Sequence, residues 1–185
     1  MRKLTYSMGV SLDGYITGPD GRHDWSAPDE ELHRFHNQQM AELGAHLLGR
    51  RLYEDMVMWE TQEQPGGVRS EFAEAWIALE KVVFSTTLEA VEGSARLATT
   101  DIAEEVVRLR QQRGGDIAVG GAGLAASVIR LGLMDEYHLF VNPIVVGGGT
   151  PFFPRLDAPI DVELVETRTF GSRVVYMRYQ RPGPG

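Results

Sequence analysis

The sequence predicts an α/β domain, with a mostly parallel central sheet covered by helices on both faces and closed by an antiparallel hairpin. Three observations point there. Short apolar runs alternate with helix-length stretches along the chain, as in sheets whose strands are buried on both faces. Several of these runs end in glycine or hydroxyl residues just before a helical pattern starts. Near the C-terminus, two β-patterned segments meet at Gly171-Ser172, which reads as a hairpin.

The elements follow in order. Residues 4–12 read as a strand, and the turn-forming residues 13–21 as a loop. Pro28-Asp29-Glu30-Glu31 opens a helix, since Pro suits the first turn and acids suit the N-terminal dipole. Leu32, Phe35, Gln39 and Leu43 then recur at helical spacing. Residues 45–48 form a buried strand ended by Gly49, and a helix is expected over 50–58. After a loop at 63–67, a helix over 70–80 leads to a β-branched strand, 81–85. Thr100-Asp101 caps a helix to about residue 112, ended by Gly114-Gly115. Residues 116–119 are another buried strand, and Gly120-Gly121-Ala122-Gly123 turns into a helix over 124–131. A strand over 136–142 halts at Pro143, and segments 162–169 and 173–180 make the hairpin.

With 185 residues, one domain over 1–180 is expected, followed by a flexible tail at 181–185. The chain has no cysteine, which excludes disulfides and thiolate chemistry. A net charge of −8 disfavours nucleic acid and anionic membranes as partners. The N-terminus runs straight into strand pattern and no apolar run reaches membrane-spanning length, so a cytoplasmic location is expected. His33 and His36 share a helix face without a surrounding carboxylate pattern, which reads as a solvated face rather than a metal site. A G-x-S-x-G nucleophile motif is absent.

Four segments carry candidate chemistry. In 116–126 a strand meets a helix through Gly120, Gly121 and Gly123, leaving helix N–H groups free for an anion such as a pyrophosphate. An ordinary tight turn explains the same residues, and a Rossmann fingerprint would stand after the first strand rather than here. At Gly49-Arg50-Arg51 two cations open a helix, where they oppose the dipole unless an anion is bound. Ser85, Thr86 and Thr87 follow a buried strand and suit either phosphate, ribose or a plain turn. Gly147-Gly148-Gly149 allows close backbone approach to a flat ligand or a sharp bend. The first three segments all lie at strand C-termini, the edge where open α/β sheets bind ligands.

These segments, in this order, resemble the dihydrofolate reductase superfamily, and most closely the reductase domain of bacterial riboflavin biosynthesis and its stand-alone relatives. The resemblance runs from Tyr6 to Tyr179. It is carried by residues 11–16, Asp24-Trp25, 49–54, 83–87, 120–124 and 133–153. It implies a three-layer dihydrofolate-reductase-like fold, a homodimer and NADPH as hydride donor. The substrate would be a small pterin- or pyrimidine-like heterocycle reduced at C=N or C=O. It further implies that Arg50 and Arg51 meet the 2′-phosphate or pyrophosphate, and that Ser85, Thr86 and Thr87 line the adenosine side. Gly49 and residues Gly120, Gly121, Ala122, Gly123 and Leu124 would cradle the pyrophosphate, with Val10 near the nicotinamide. Trp25, Gly147 and Gly148 would border the substrate. Asp13, Glu30 and Glu31 are the candidate acids. A flavin or deazaflavin reductase and a non-catalytic nucleotide-binding module are the alternatives on the same fold. The zinc deaminase that accompanies this domain in the bifunctional riboflavin enzyme has no counterpart here, which puts a phosphorylated ribosylamino-pyrimidine substrate in question. The edge hairpin, with Val162, Leu164, Val174, Val175 and Tyr176, offers apolar surface for a partner.

Overall fold

A computed structural model describes residues 1–183. Ten strands and six α-helices alternate: β1 (Leu4–Ser11), β2 (Tyr15–Thr17), α1 (Glu30–Glu42), β3 (Leu43–Gly49), α2 (Arg50–Met56), α3 (Met58–Thr61), α4 (Val68–Ala78), β4 (Glu80–Phe84), β5 (Ala95–Leu97), α5 (Ile102–Gln111), β6 (Asp116–Gly120), α6 (Ala122–Arg130), β7 (Glu136–Asn142), β8 (Thr150–Pro151), β9 (Glu163–Thr169) and β10 (Val175–Gln180). Eight strands form one sheet in the order β5-β4-β3-β6-β1-β7-β10-β9. Pairing from β5 to β7 is parallel, and β10 runs antiparallel to both β7 and β9. The expected mostly parallel sheet with a C-terminal hairpin is the observed architecture.

Strand alternation sorts the side chains into two layers. Leu4, Tyr6, Val10, Leu47, Val82 and Val119 face α5 and α6, whose Val106, Leu109, Ala125 and Val128 complete the main core. On the opposite face Leu48 and Val83 meet Tyr53, Phe72 and Trp76 from α2 and α4. Leu32 and Phe35 of α1 pack on Phe140, Phe170 and Tyr176. Asp29 and Asp101 cap α1 and α5 by accepting from the Leu32 and Glu104 amides at 2.9 Å each.

Several expectations shift. The helix expected over 50–58 breaks at Val57 into α2 and α3. That expected over 70–80 starts and ends two residues earlier, because Glu80 already pairs with Ala45 in the sheet. The glycine turn feeds α6 from Ala122, not Leu124. The loop after β1 contains β2, which pairs with β8 in a separate two-stranded sheet, and β5 lies between two turn clusters; these short strands carry too little pattern to stand out. Val174 and Tyr176 are buried rather than surface residues, because Leu32 and Phe35 of α1 pack over them together with Phe140 and Phe170. In the expected tail, Arg181 is tied down: its amide donates to Asp135 O at 2.9 Å and its guanidinium to Gly132 O at 2.6 Å. Pro184 and Gly185 lie outside the described residues. No described helix is long and apolar enough to cross a membrane.

Candidate functional site

The ligand-sized space lies between α1 and the sheet. Its floor is built from small residues on adjacent strands, Thr5, Ser7 and Gly9 of β1 and Ala118 and Gly120 of β6. These short side chains leave space unfilled, and a cavity of about 400 Å³ remains under His33, His36, Gln39 and Met40 of α1. Leu52, Met56, Trp59, Phe72 and Phe140 supply apolar walls. The volume and lining suit a small planar ligand.

Four of the five histidines line this cavity: His33, His36, His46 and His138. The solvated face expected for His33 and His36 is therefore corrected: both sit on the inner face of α1, and the His36 ring centroid lies 4.4 Å from that of Phe140. Burial, with a smaller contribution from His33, pushes His36 down to about 4, so its imidazole is neutral at neutral pH. His46 is likewise pushed down to about 4, by burial and then by Lys81. Its Nδ1 has no hydrogen-bond partner, and its ring stands edge-on to Trp76 at 5.5 Å. His138 is opposite Ser7 in the β1–β7 register, and its Nε2 lies 2.9 Å from Glu136 Oε2. The His138 hydrogen bond and the Lys3 ammonium hold the Glu136 carboxyl down at about 2. No group of three or more His, Asp or Glu among the described residues is arranged to hold a metal ion.

None of the three candidate acids lines the cavity. Glu30 pairs with Arg34 at 2.5 Å on the outer face of α1. Glu31 accepts from the Gly171 amide at 3.0 Å and from Arg168 at 3.1 Å, which ties α1 to the β9–β10 turn. Asp13 accepts from the amides of Val146 and Gly147 at 3.1 and 2.8 Å, and with the Ser11 hydroxyl these hold its carboxyl below the usual range. The triglycine loop is thus clasped to the loop after β1 instead of bordering the cavity. All three glycines have positive φ, and a Cβ at Gly149 would run into the Thr17 carbonyl. Trp25 sits half-buried in a 3-10 turn (Asp24–Ser26) whose Ser26 covers Gly9. Val10 faces the main core on the other side of the sheet, so it cannot reach into this cavity.

The residues expected to hold a dinucleotide do come together, along the C-terminal edge of the parallel strands. Leu48 is opposite Gly120 and Gly49 opposite Phe84, which sets three strand ends side by side. Arg50, Ser85, Thr86 and Thr87 line one open groove of about 570 Å³. Arg50 pairs with Glu54 at 3.2 Å, and the exposed Arg51 has no carboxylate partner among the described residues. Helices α2 and α6 begin at Gly49 and Gly121 with no side-chain cap, unlike α1 and α5. Gly121 has φ +93°, and a Cβ there would lie 3.6 Å from Gly49 Cα, so the two helix starts abut through their glycines. Beside Gly123 a Cβ would meet nothing within 4 Å, which leaves the α6 N-terminus open to an anion. Ala122 and Leu124 rest instead against the main core. Gly120 and Leu52 belong to the cavity lining, and Leu52 stands two residues along α2 from Arg50 of the groove.

The profile of the RibD C-terminal domain matches residues 2–176. The uncharacterized Bacillus subtilis protein YyaP is 33% identical over 185 residues, covering 98% of this chain and 96% of its own. Among solved structures, a pyrimidine reductase-like protein of Corynebacterium diphtheriae superimposes with a TM-score of 0.67 at 14% identity, covering 99% of this chain and 93% of that one. The Thermotoga maritima diaminohydroxyphosphoribosylaminopyrimidine deaminase/5-amino-6-(5-phosphoribosylamino)uracil reductase gives 0.69 at 16% identity, matching 98% of this chain and 57% of that one. Enterococcus faecalis dihydrofolate reductase, solved with NADP(H), gives 0.62 at 16% identity, covering 98% and 97% of the two chains.

Proposed function

Because the chain belongs to the RibD C-terminal domain family, we propose that it is an NADPH-dependent reductase of a small, pyrimidine- or pterin-like heterocycle. The observation that carries this reading is the pair of spaces on either side of the α2 start, where Arg50 lines the groove and Leu52 the cavity. The groove runs along the sheet edge at which α2 and α6 begin without side-chain caps, and the cavity is a partly enclosed space of heterocycle size. The groove residues fit NADPH, which when bound supplies the hydride. The α6 amides after Gly121 suit the pyrophosphate, Arg50 and Arg51 suit the 2′-phosphate, and Ser85, Thr86 and Thr87 suit the ribose hydroxyls. The cavity walls would hold the acceptor carbon in one orientation, which supports transfer by positioning. His138, braced by the Glu136 carboxylate, is the lining imidazole placed to pass a proton to the reduced heteroatom.

Titration with NADPH and, separately, NADH, followed by ligand fluorescence, tests the reading. Tight NADPH binding with weak NADH binding is expected, and Arg50→Ala should weaken NADPH far more than NADH. Binding of neither nucleotide refutes it. We also propose that a second copy of the chain covers β9, whose seven residues are all exposed along an unpaired sheet edge bearing Leu164 and Val165. Elution as a monomer at high concentration refutes that.

A further inference from the structure

We propose, building on the reductase reading, that the cavity under α1 takes an uncharged or protonated N-heterocycle and rejects phosphate esters. The charge of its lining carries the inference. Glu42, Asp116 and Glu136 face the cavity, and Arg178 is the one lining cation among the described residues. Arg178 is already 3.4 Å from Glu166. Of the lining histidines, the buried His36 and His46 add no positive charge, since both are neutral at neutral pH. A phosphate monoester brings roughly −1.5 to −2 charge, which would enter an acidic, partly enclosed space without a free partner.

The two arginines nearest the outer mouth are also occupied. Arg34 pairs with Glu30 at 2.5 Å, while Arg69 stacks 4.6 Å over Trp59 and donates to Gln64 at 3.2 Å. By contrast, the cavity is well furnished for ring N–H and ring nitrogen groups. A neutral imidazole both donates and accepts, and His46 Nδ1 is buried with no protein partner to satisfy it. The Ser7 hydroxyl stands opposite the His138–Glu136 pair, and Phe140 and Trp59 add flat apolar faces.

The test uses three probes on the intact protein: 2-aminopyrimidine, cytidine and cytidine 5′-monophosphate. The readout is quenching of tryptophan fluorescence, assigned to the cavity by its loss in Trp59→Phe. The two uncharged heterocycles should bind, with the monophosphate at least tenfold weaker than cytidine. Glu42→Lys, at an exposed position by the acidic end, should narrow that gap at least threefold. Equal or tighter binding of the monophosphate overturns the proposal, as does failure of both uncharged heterocycles to bind a protein that still binds NADPH. Discrimination among the probes by a protein that binds no NADPH would remove the reductase reading and leave this one standing.

Discussion

Replacing Glu136 by Gln should cost stability in a way that disappears in acid. The Glu136 side chain is 4% exposed, and His138 and Lys3 together hold its carboxyl at about 2 against an ordinary 4.5. A folded value below the unfolded one stabilises the native state above pH 4.5, and that stabilisation is lost as pH falls toward 2. The difference corresponds to about 3 kcal/mol at neutral pH. Gln keeps the shape but not the charge, so the variant forfeits this contribution. Urea unfolding of both proteins should show a gap of about 3 kcal/mol at neutral pH, shrinking to about 1.4 kcal/mol near pH 3. A gap of constant size across that range would mean the loss comes from packing, and would refute the electrostatic account.

Other outcomes follow from the same geometry. Lys81 is 1% exposed, lies 3.0 Å from Glu60 and donates to the Trp76 and Leu79 carbonyls at the end of α4. Lys81→Met should therefore cost about 3–5 kcal/mol, read as a drop of roughly 6–20 °C in Tm. Gly149→Ala combines φ +120° with a clash against backbone, so a loss on the order of 1–3 kcal/mol in urea unfolding is expected. Gly123→Ala meets open space within a helix and should raise stability by about 0.5–1 kcal/mol while weakening NADPH in the titration. Leu164→Lys on the exposed edge strand should shift size-exclusion elution from dimer to monomer.

The fold was readable because its signals are local. Apolar runs such as 45–48 and 116–119 announce buried strands, Asp29 and Asp101 announce helix starts, and Gly49 and Gly121 announce the turns at strand ends. The cluster of glycines, arginines and hydroxyls at the sheet edge was readable for the same reason, since each of its parts is one strand end. The cavity was not. It depends on which strands are neighbours: Ser7 matters because it pairs with His138, and Ala118 because it pairs with Thr5 and His46. The acids at 30, 31 and 13 drew attention as carboxylates near turns, yet each is spent on a structural tie, Glu30 within α1 and the other two across the fold. The period-two pattern Glu136, His138, Phe140 on β7, set against Thr5, Ser7, Gly9 on β1, was the available signal. It gains meaning only once the register is known.

Helix α1 is held like a bridge deck, fastened along its flanks and unsupported beneath. Leu32 and Phe35 anchor one side to Phe140 and Phe170, Asn37 anchors the other through the Val68 carbonyl at 2.8 Å, and Glu31 ties its first turn to Gly171. What lies below can change without moving the anchors. Substitutions at positions 33, 36, 39 and 40 would remodel the substrate space while leaving the glycine-led helix starts at the sheet edge untouched. On the proposed reading, the molecule thus keeps the choice of what is reduced and the choice of what reduces it on separate pieces of its chain.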